Sequence, residues 1–154
     1  DALYFAKLGH NVTAVDFSKE AVKNMKKKSL KSNISINIIL ENIFNLNKLF
    51  LNSFDFVIEY TCFCAINPNR RIEYVDLTNQ ILKPNGKLIA LLFPIVNINI
   101  EPGPPFYVDL DKTEKLFSKH FKILKKEIPK NSISQRYDNE IFIIMKKNEN
   151  YNKN

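Results

Sequence analysis

Asp16 ends a short apolar run, residues 12–16, and a carboxylate at a strand's end can accept hydrogen bonds from both hydroxyls of a ribose. Together with Ser18 the same residue can instead simply open and cap the next helix. Glu41-Asn42-Ile43-Phe44 follows a second β-branched run. There Asn42 can pair with an adenine amino group, the Ile43 N–H can reach a ring nitrogen, and Phe44 can enter the core. Gly103-Pro104-Pro105-Phe106-Tyr107-Val108 is chemically unlike its surroundings and holds one of only three glycines. Two consecutive prolines fix φ and remove two donors, which excludes a helix interior or a central strand. A rigid apolar loop just past a buried strand is where open α/β sheets place ligands; it can equally be a stiff connector into the next helix.

Other chemistry-bearing residues carry less. Glu59 can act as a base near a site or as a group that orients Tyr60. Cys62 and Cys64 are spaced too closely to ring a metal and lack partner ligands, so no metal site is assigned and Cys64 reads as a small buried hydrophobe. His10 and His120 each stand between a helix and a strand and read as surface loop residues.

These residues need elements to position them. Residues 1–8 carry a helical stripe of Ala2, Phe5 and Ala6, with Gly9 placed as its C-terminal cap. Residues 12–16 read as a strand, Ser18 as the cap of a helix with Ala21, Val22 and Met25 inward, and residues 34–40 and 54–60 as strands. Residues 71–82 form a helix that stops at the turn Lys83-Pro84-Asn85-Gly86. Residues 87–93 are a near-continuous apolar strand of the kind buried on both faces. A helix over 112–120 and strands over 121–128 and 140–145 complete the reading. The last two strands have no helix between them and are expected to be antiparallel neighbours. Strands alternating with helices argue an α/β fold with a doubly wound, mostly parallel sheet.

Size and charge bound the function. At 154 residues and 45% hydrophobic, the chain can bury one core, with residues 1–147 as a single domain and 148–154 as a polar, disordered tail. The 23 basic and 16 acidic residues give +7, but the strongest cluster, Lys23, Lys26, Lys27, Lys28 and Lys31, is the wet face of one helix. That argues against nucleic acid as a partner. No apolar run approaches the roughly 20 residues that span a bilayer, and two cysteines make no disulfide framework, so a cytoplasmic protein without a membrane partner is expected.

The order of elements is unusual. A helix feeding a strand is the back half of a βαβ unit, and the strand and glycine-rich turn expected before it are absent. An N-terminally incomplete domain is the expectation.

The segment Phe54-Asp55-Phe56-Val57-Ile58-Glu59-Tyr60-Thr61-Cys62-Phe63-Cys64-Ala65-Ile66-Asn67-Pro68-Asn69-Arg70-Arg71 is far more specific. With Leu82-Lys83-Pro84-Asn85-Gly86-Lys87, Phe93-Pro94 and Gly103-Pro104-Pro105-Phe106, it resembles the thiopurine S-methyltransferase family, including the thiol and halide methyltransferases. Val12-Thr13-Ala14-Val15-Asp16-Phe17-Ser18 fits as well, so the resemblance covers nearly the whole chain. It implies a Rossmann-like class I methyltransferase sheet with one antiparallel strand, lacking here the N-terminal lid, first strand and glycine loop. It implies S-adenosyl-L-methionine as cofactor, bound by Asp16 at the ribose, Asn42 and Ile43 at the adenine, and Tyr60 near the methionine moiety. Arg71 would stand at the substrate mouth, close to both cofactor and nucleophile, and Pro104, Pro105 and Phe106 would wall the pocket. Two departures stand out: Asn42 replaces a frequent Asp, and Cys62 a commoner aromatic or aliphatic residue.

The implied reaction is methyl transfer to a small soft nucleophile, a thiol, thiopurine-like compound or halide, with Arg71 favouring the anion and no residue assigned as catalytic base. A monomer acting on a small molecule is expected. Two rival readings remain at this point: a non-catalytic fragment unable to hold the cofactor, and a dinucleotide-dependent oxidoreductase.

Overall fold

The computed structural model describes residues 1–96 and 103–149, so the tail expected over 148–154 lies outside the described residues from 150 onward. The chain divides into two compact units, Asp1–Leu49 and a second from Phe50 onward.

In the first unit, α1 (Ala2–Lys7) ends where Gly9 turns left-handed at φ 90°. The Gly9 and His10 N–H groups donate to the Ala6 and Phe5 carbonyls at 3.0 and 3.2 Å, which satisfies two acceptors that the helix end would strand. Strand β1 (Thr13–Asp16) leads to α2 (Lys19–Ser32), whose cap Ser18 accepts the Ala21 N–H at 3.2 Å. Strand β2 is confined to Asn37–Leu40 because the Ile34 N–H, expected in the ladder, instead donates to Ser29 O at 3.1 Å and closes α2. The two strands are parallel, from Thr13 opposite Asn37 to Asp16 opposite Leu40.

The second unit holds β3 (Phe54–Tyr60), α3 (Arg71–Ile81), β4 (Leu82–Leu92), α4 (Leu110–Phe117), β5 (Phe121–Glu127) and β6 (Ile141–Lys147), with sheet order β3-β4-β6-β5. The expected turn at residues 83–86 lies inside β4 as a bulge. Leu82 pairs with Phe54 and Lys87 with Phe56, so 83–86 stand opposite Asp55 alone. Gly86 is required there, since a Cβ would sit 2.9 Å from the Lys83 carbonyl oxygen. Helix α4 begins at Leu110, earlier than expected, because Asp109 is its cap and accepts the Lys112 N–H at 3.1 Å.

Strands β5 and β6 are antiparallel neighbours as expected, and β6 also runs antiparallel to β4, so it is the one reversed strand of this sheet. Its insertion between β4 and β5 was not legible in the sequence. It aligns Leu88 with Met145, Ala90 with Ile143 and Leu92 with Ile141, all buried. Ile89 and Leu91 are only half-buried, so β4 is fully buried on one face and not on both. The core extends through aromatic contacts: Phe63 meets Tyr74 of α3 and Phe117 of α4, each at 5.6 Å, and Phe117 meets Phe121 of β5 at 5.9 Å. His120, expected on the surface, is tied to α3 through Asp76 Oδ1 at 2.7 Å. No helix among the described residues is long and apolar enough to cross a membrane.

Candidate active site

In the first unit, the parallel register brings Asp16 and Asn42 to the same end of the β1–β2 ladder, and the Asp16 carbonyl accepts the Glu41 N–H at 3.1 Å. Asp16 Oδ1 accepts the Ser18 N–H at 2.8 Å, so this carboxylate does organise the entry to α2. Asn42 caps the 3-10 turn Ile43–Lys48 through Oδ1, which accepts the Phe44 N–H at 3.1 Å. Ile43 is the first residue of that turn, where helical geometry offers its N–H no acceptor. Beside them, Glu41 is held below the usual carboxylate range by hydrogen bonds from the Asn45 side chain and the Asn42 N–H.

In the second unit, the chain leaves β3 through Thr61 at φ 62°. A β-branched residue pays steric strain in that left-handed region, on the order of 1–2 kcal/mol. Glu59 spans the turn. It is 2% exposed, and its Oε1 accepts the N–H groups of Cys62 and Phe63 at 2.9 and 2.7 Å, while Oε2 is buried with no hydrogen-bond partner. Burial pushes its carboxyl up to about 7, against the two amides, which pull it down. The turn therefore places the Phe63 ring in the core and Cys64 beside it.

Residues 103–108 dock onto that turn. The Phe106 N–H donates to Cys64 O at 2.7 Å, and the Val108 N–H to Pro94 O at 2.8 Å. Arg71, the first residue of α3, is 8% exposed and donates to Tyr107 O at 3.0 Å and to Phe106 O at 3.3 Å, with its guanidinium 4.6 Å from the Phe63 ring centre. Only glycine fits at 103, since a Cβ would lie 2.7 Å from the Phe106 nitrogen. The rigid loop and Arg71, separate features in the sequence, form one hydrogen-bonded assembly.

A cavity of about 300 Å³ opens among Thr61, Cys64, Ala65, Phe93, Pro104, Pro105 and Arg136. Pro104 and Pro105 are thus on its wall, whereas Phe106 and Arg71 belong to the support of the loop. Cys64 is 5% exposed; its Sγ donates to Thr61 O at 3.3 Å, and burial and the Glu59 charge push the thiol up, away from thiolate.

The cation on the cavity is Arg136, which sequence reasoning missed. Its guanidinium lies 4.5 Å from the Phe93 ring centre and 5.1 Å from that of Tyr60. It forms an i,i+4 ion pair with buried Glu140 at 3.8 Å, which offsets part of its charge. Asn139 brings Arg136 there: its side-chain oxygen accepts the Ile95 and Val96 N–H groups at 3.0 and 2.8 Å, and its own N–H donates to Arg136 O at 2.9 Å. The only sequence signal was a lone arginine in a loop of turn-forming residues. Tyr60 is accordingly a stacking partner of Arg136. The result is an open, mostly apolar concavity bearing one arginine whose charge is shared with Glu140.

A family model described as thiopurine S-methyltransferase (TPMT) matches residues 1–151. Probable thiol methyltransferase 2 of Arabidopsis thaliana is 32% identical over 118 residues, covering 75% of this chain and 50% of that protein. Thiopurine S-methyltransferase of Bos taurus is 25% identical over 134 residues, covering 74% of this chain and 54% of that protein. The chain spans about half the length of these curated relatives. Among solved structures, a SAM-dependent methyltransferase of Methanosarcina mazei superposes with a TM-score of 0.80 at 16% identity, over 96% of this chain and 86% of that one. The N-methyltransferase NodS of Bradyrhizobium japonicum, solved with S-adenosyl-L-homocysteine, gives 0.73 at 12% identity, over 96% and 74%. Such low identities bear on the fold alone.

Proposed function

The chain belongs to the thiopurine S-methyltransferase family and has its α/β, Rossmann-like class I methyltransferase fold, and on that premise we propose S-adenosylmethionine-dependent methyl transfer to a small soft nucleophile such as a thiol or halide. The observation that carries this reading is Arg136, fixed between Phe93 and Tyr60 over a cavity otherwise lined by apolar and small side chains. A soft anion gains from a delocalised guanidinium and loses little hydration on entering an apolar slot.

The residues fit the cofactor in kind. Asp16 offers a carboxylate for ribose hydroxyls, Asn42 a side-chain amide, and Ile43 an N–H without a helical acceptor. When bound, S-adenosylmethionine supplies an electrophilic methyl group whose carbon–sulfur bond breaks toward sulfur as the nucleophile's electron pair bonds to it. The chain contributes positioning and desolvation. Arg136 holds the nucleophile as its anion, and Pro104, Pro105 and Phe93 exclude water. Arg71, expected to favour that anion, serves in this reading to hold the wall in place.

Calorimetric titration with S-adenosylhomocysteine and initial rates with iodide and thiophenol test the proposal. Binding and turnover are expected, and Arg136→Met should raise the KM for iodide by about tenfold or more, the scale of one desolvated cation contact, with little change in cofactor affinity. Failure of the wild-type chain to bind S-adenosylhomocysteine would overturn it.

A further inference from the structure

We infer that Glu59 is the positioning residue of the pocket wall: its carboxyl fixes the turn whose Cys64 carbonyl and Phe63 ring hold Phe106 and Arg71, and through them residues 103–108. The inference rests on the reading of the cavity as the nucleophile's pocket.

The contacts form an unbroken series. Glu59 Oε1 accepts the Phe63 N–H at 2.7 Å and the Cys62 N–H at 2.9 Å. The Phe63 ring lies under the Arg71 guanidinium at 4.6 Å, and Cys64 O accepts the Phe106 N–H at 2.7 Å. Arg71 then donates to Phe106 O and Tyr107 O. Pro104 and Pro105, immediately before Phe106, line the cavity. Each link is a directional bond or a ring contact, so displacement of the turn is transmitted to the wall.

Geometry argues against the two other roles for this carboxyl. It cannot take a proton from a substrate as general base, because it is 2% exposed, does not line the cavity, and commits one oxygen to two amides. Nor does it orient the Tyr60 ring, whose partner is Arg136. What it does is satisfy two N–H groups in a turn that forces Thr61 to φ 62°. Without an acceptor there, the strained turn would lose the partner of the buried Phe63 N–H.

The test compares Glu59→Gln, Glu59→Leu and Thr78→Val in the full chain. Glutamine keeps the acceptor, leucine removes it, and Thr78→Val alters a buried hydroxyl that donates to Tyr74 O within α3, serving as a control for general destabilisation. Hydrogen exchange at Phe63 and Phe106, S-adenosylhomocysteine affinity, and kcat and KM for thiophenol are measured. Glu59→Gln should keep KM within about threefold. Glu59→Leu should raise KM about tenfold or more and speed exchange at both amides by a similar factor, while cofactor affinity stays within about twofold. Thr78→Val should lower the Tm and leave KM unchanged. Loss of kcat in Glu59→Gln would assign a base and overturn the inference, as would a Glu59→Leu variant that behaves like Thr78→Val. If wild type neither binds S-adenosylhomocysteine nor turns over, the functional reading fails, and the exchange rates at Phe106 still decide whether Glu59 positions the wall.

Discussion

The guanidinium of Arg71 lies 4.6 Å from the centre of the Phe63 ring and makes both its hydrogen bonds to backbone carbonyls of the loop it faces. An arginine that opens a helix near a pocket is here a structural cross-link between α3 and residues 106–107. The cation presented to the cavity comes instead from residue 136, on the connection between β5 and β6.

Arg71→Met should therefore act first on stability. It removes two charge-assisted hydrogen bonds and a ring contact from a buried position, an expected loss of about 2–4 kcal/mol. Urea unfolding measures the loss, and exchange at the Phe106 amide should accelerate with it. A variant as stable as wild type would show that the cross-link carries no energy.

Gly103→Ala tests the loop from its other end. The added Cβ would meet Phe106 N and Pro105 C at 2.7 Å, both of them backbone atoms. The loop must shift, with an expected cost of about 1–3 kcal/mol and a raised KM for the nucleophile. Thermal melts and initial rates read the two effects separately.

Glu59 makes stability depend on pH in a predictable direction. Its carboxyl sits at about 7 when folded, above its ordinary 4.5, so the folded chain binds the proton more tightly than the unfolded chain. Its contribution is fully present below about 4.5 and is lost as pH rises through about 7. The linkage is on the order of 3 kcal/mol, and Glu59→Gln should lack it. Urea unfolding at pH 5 and pH 8 for both proteins gives the difference; parallel pH profiles would contradict the assignment.

Lys147 closes the far end of α3. Its buried ammonium donates to Asn79 O at 2.6 Å, Leu82 O at 2.8 Å and Asn52 Oδ1 at 3.2 Å, and burial lowers its pKa. Lys147→Met keeps the volume and strands those acceptors where α3 meets β4, so a loss of about 2–4 kcal/mol is expected in a denaturant melt. A neutral result would mean that water replaces the ammonium.

The sequence by itself determined the existence and order of most elements, while their bounds at residues 34, 83–86 and 110 were set by hydrogen bonds it does not show. Gly9 and Ser18 marked a helix end and a helix start, the run over 87–93 marked a buried strand, and Pro104 and Pro105 marked a rigid segment that lines a cavity. The motifs around Tyr60 and Arg71 carried the family. Tertiary structure decided which of these side chains faces the cavity. Strand β6 enters between β4 and β5 with Ile141 opposite Leu92, so the residues just before β6 lie beside those just after β4. That register puts Arg136 over Phe93, far from it in sequence, and no local pattern encodes it. Likewise, Arg71 and Glu59 are polar residues of a kind that could meet a ligand, and burial alone commits both to backbone partners. Which atoms of a buried polar group find partners depends on what packs against them, and that is fixed by the fold.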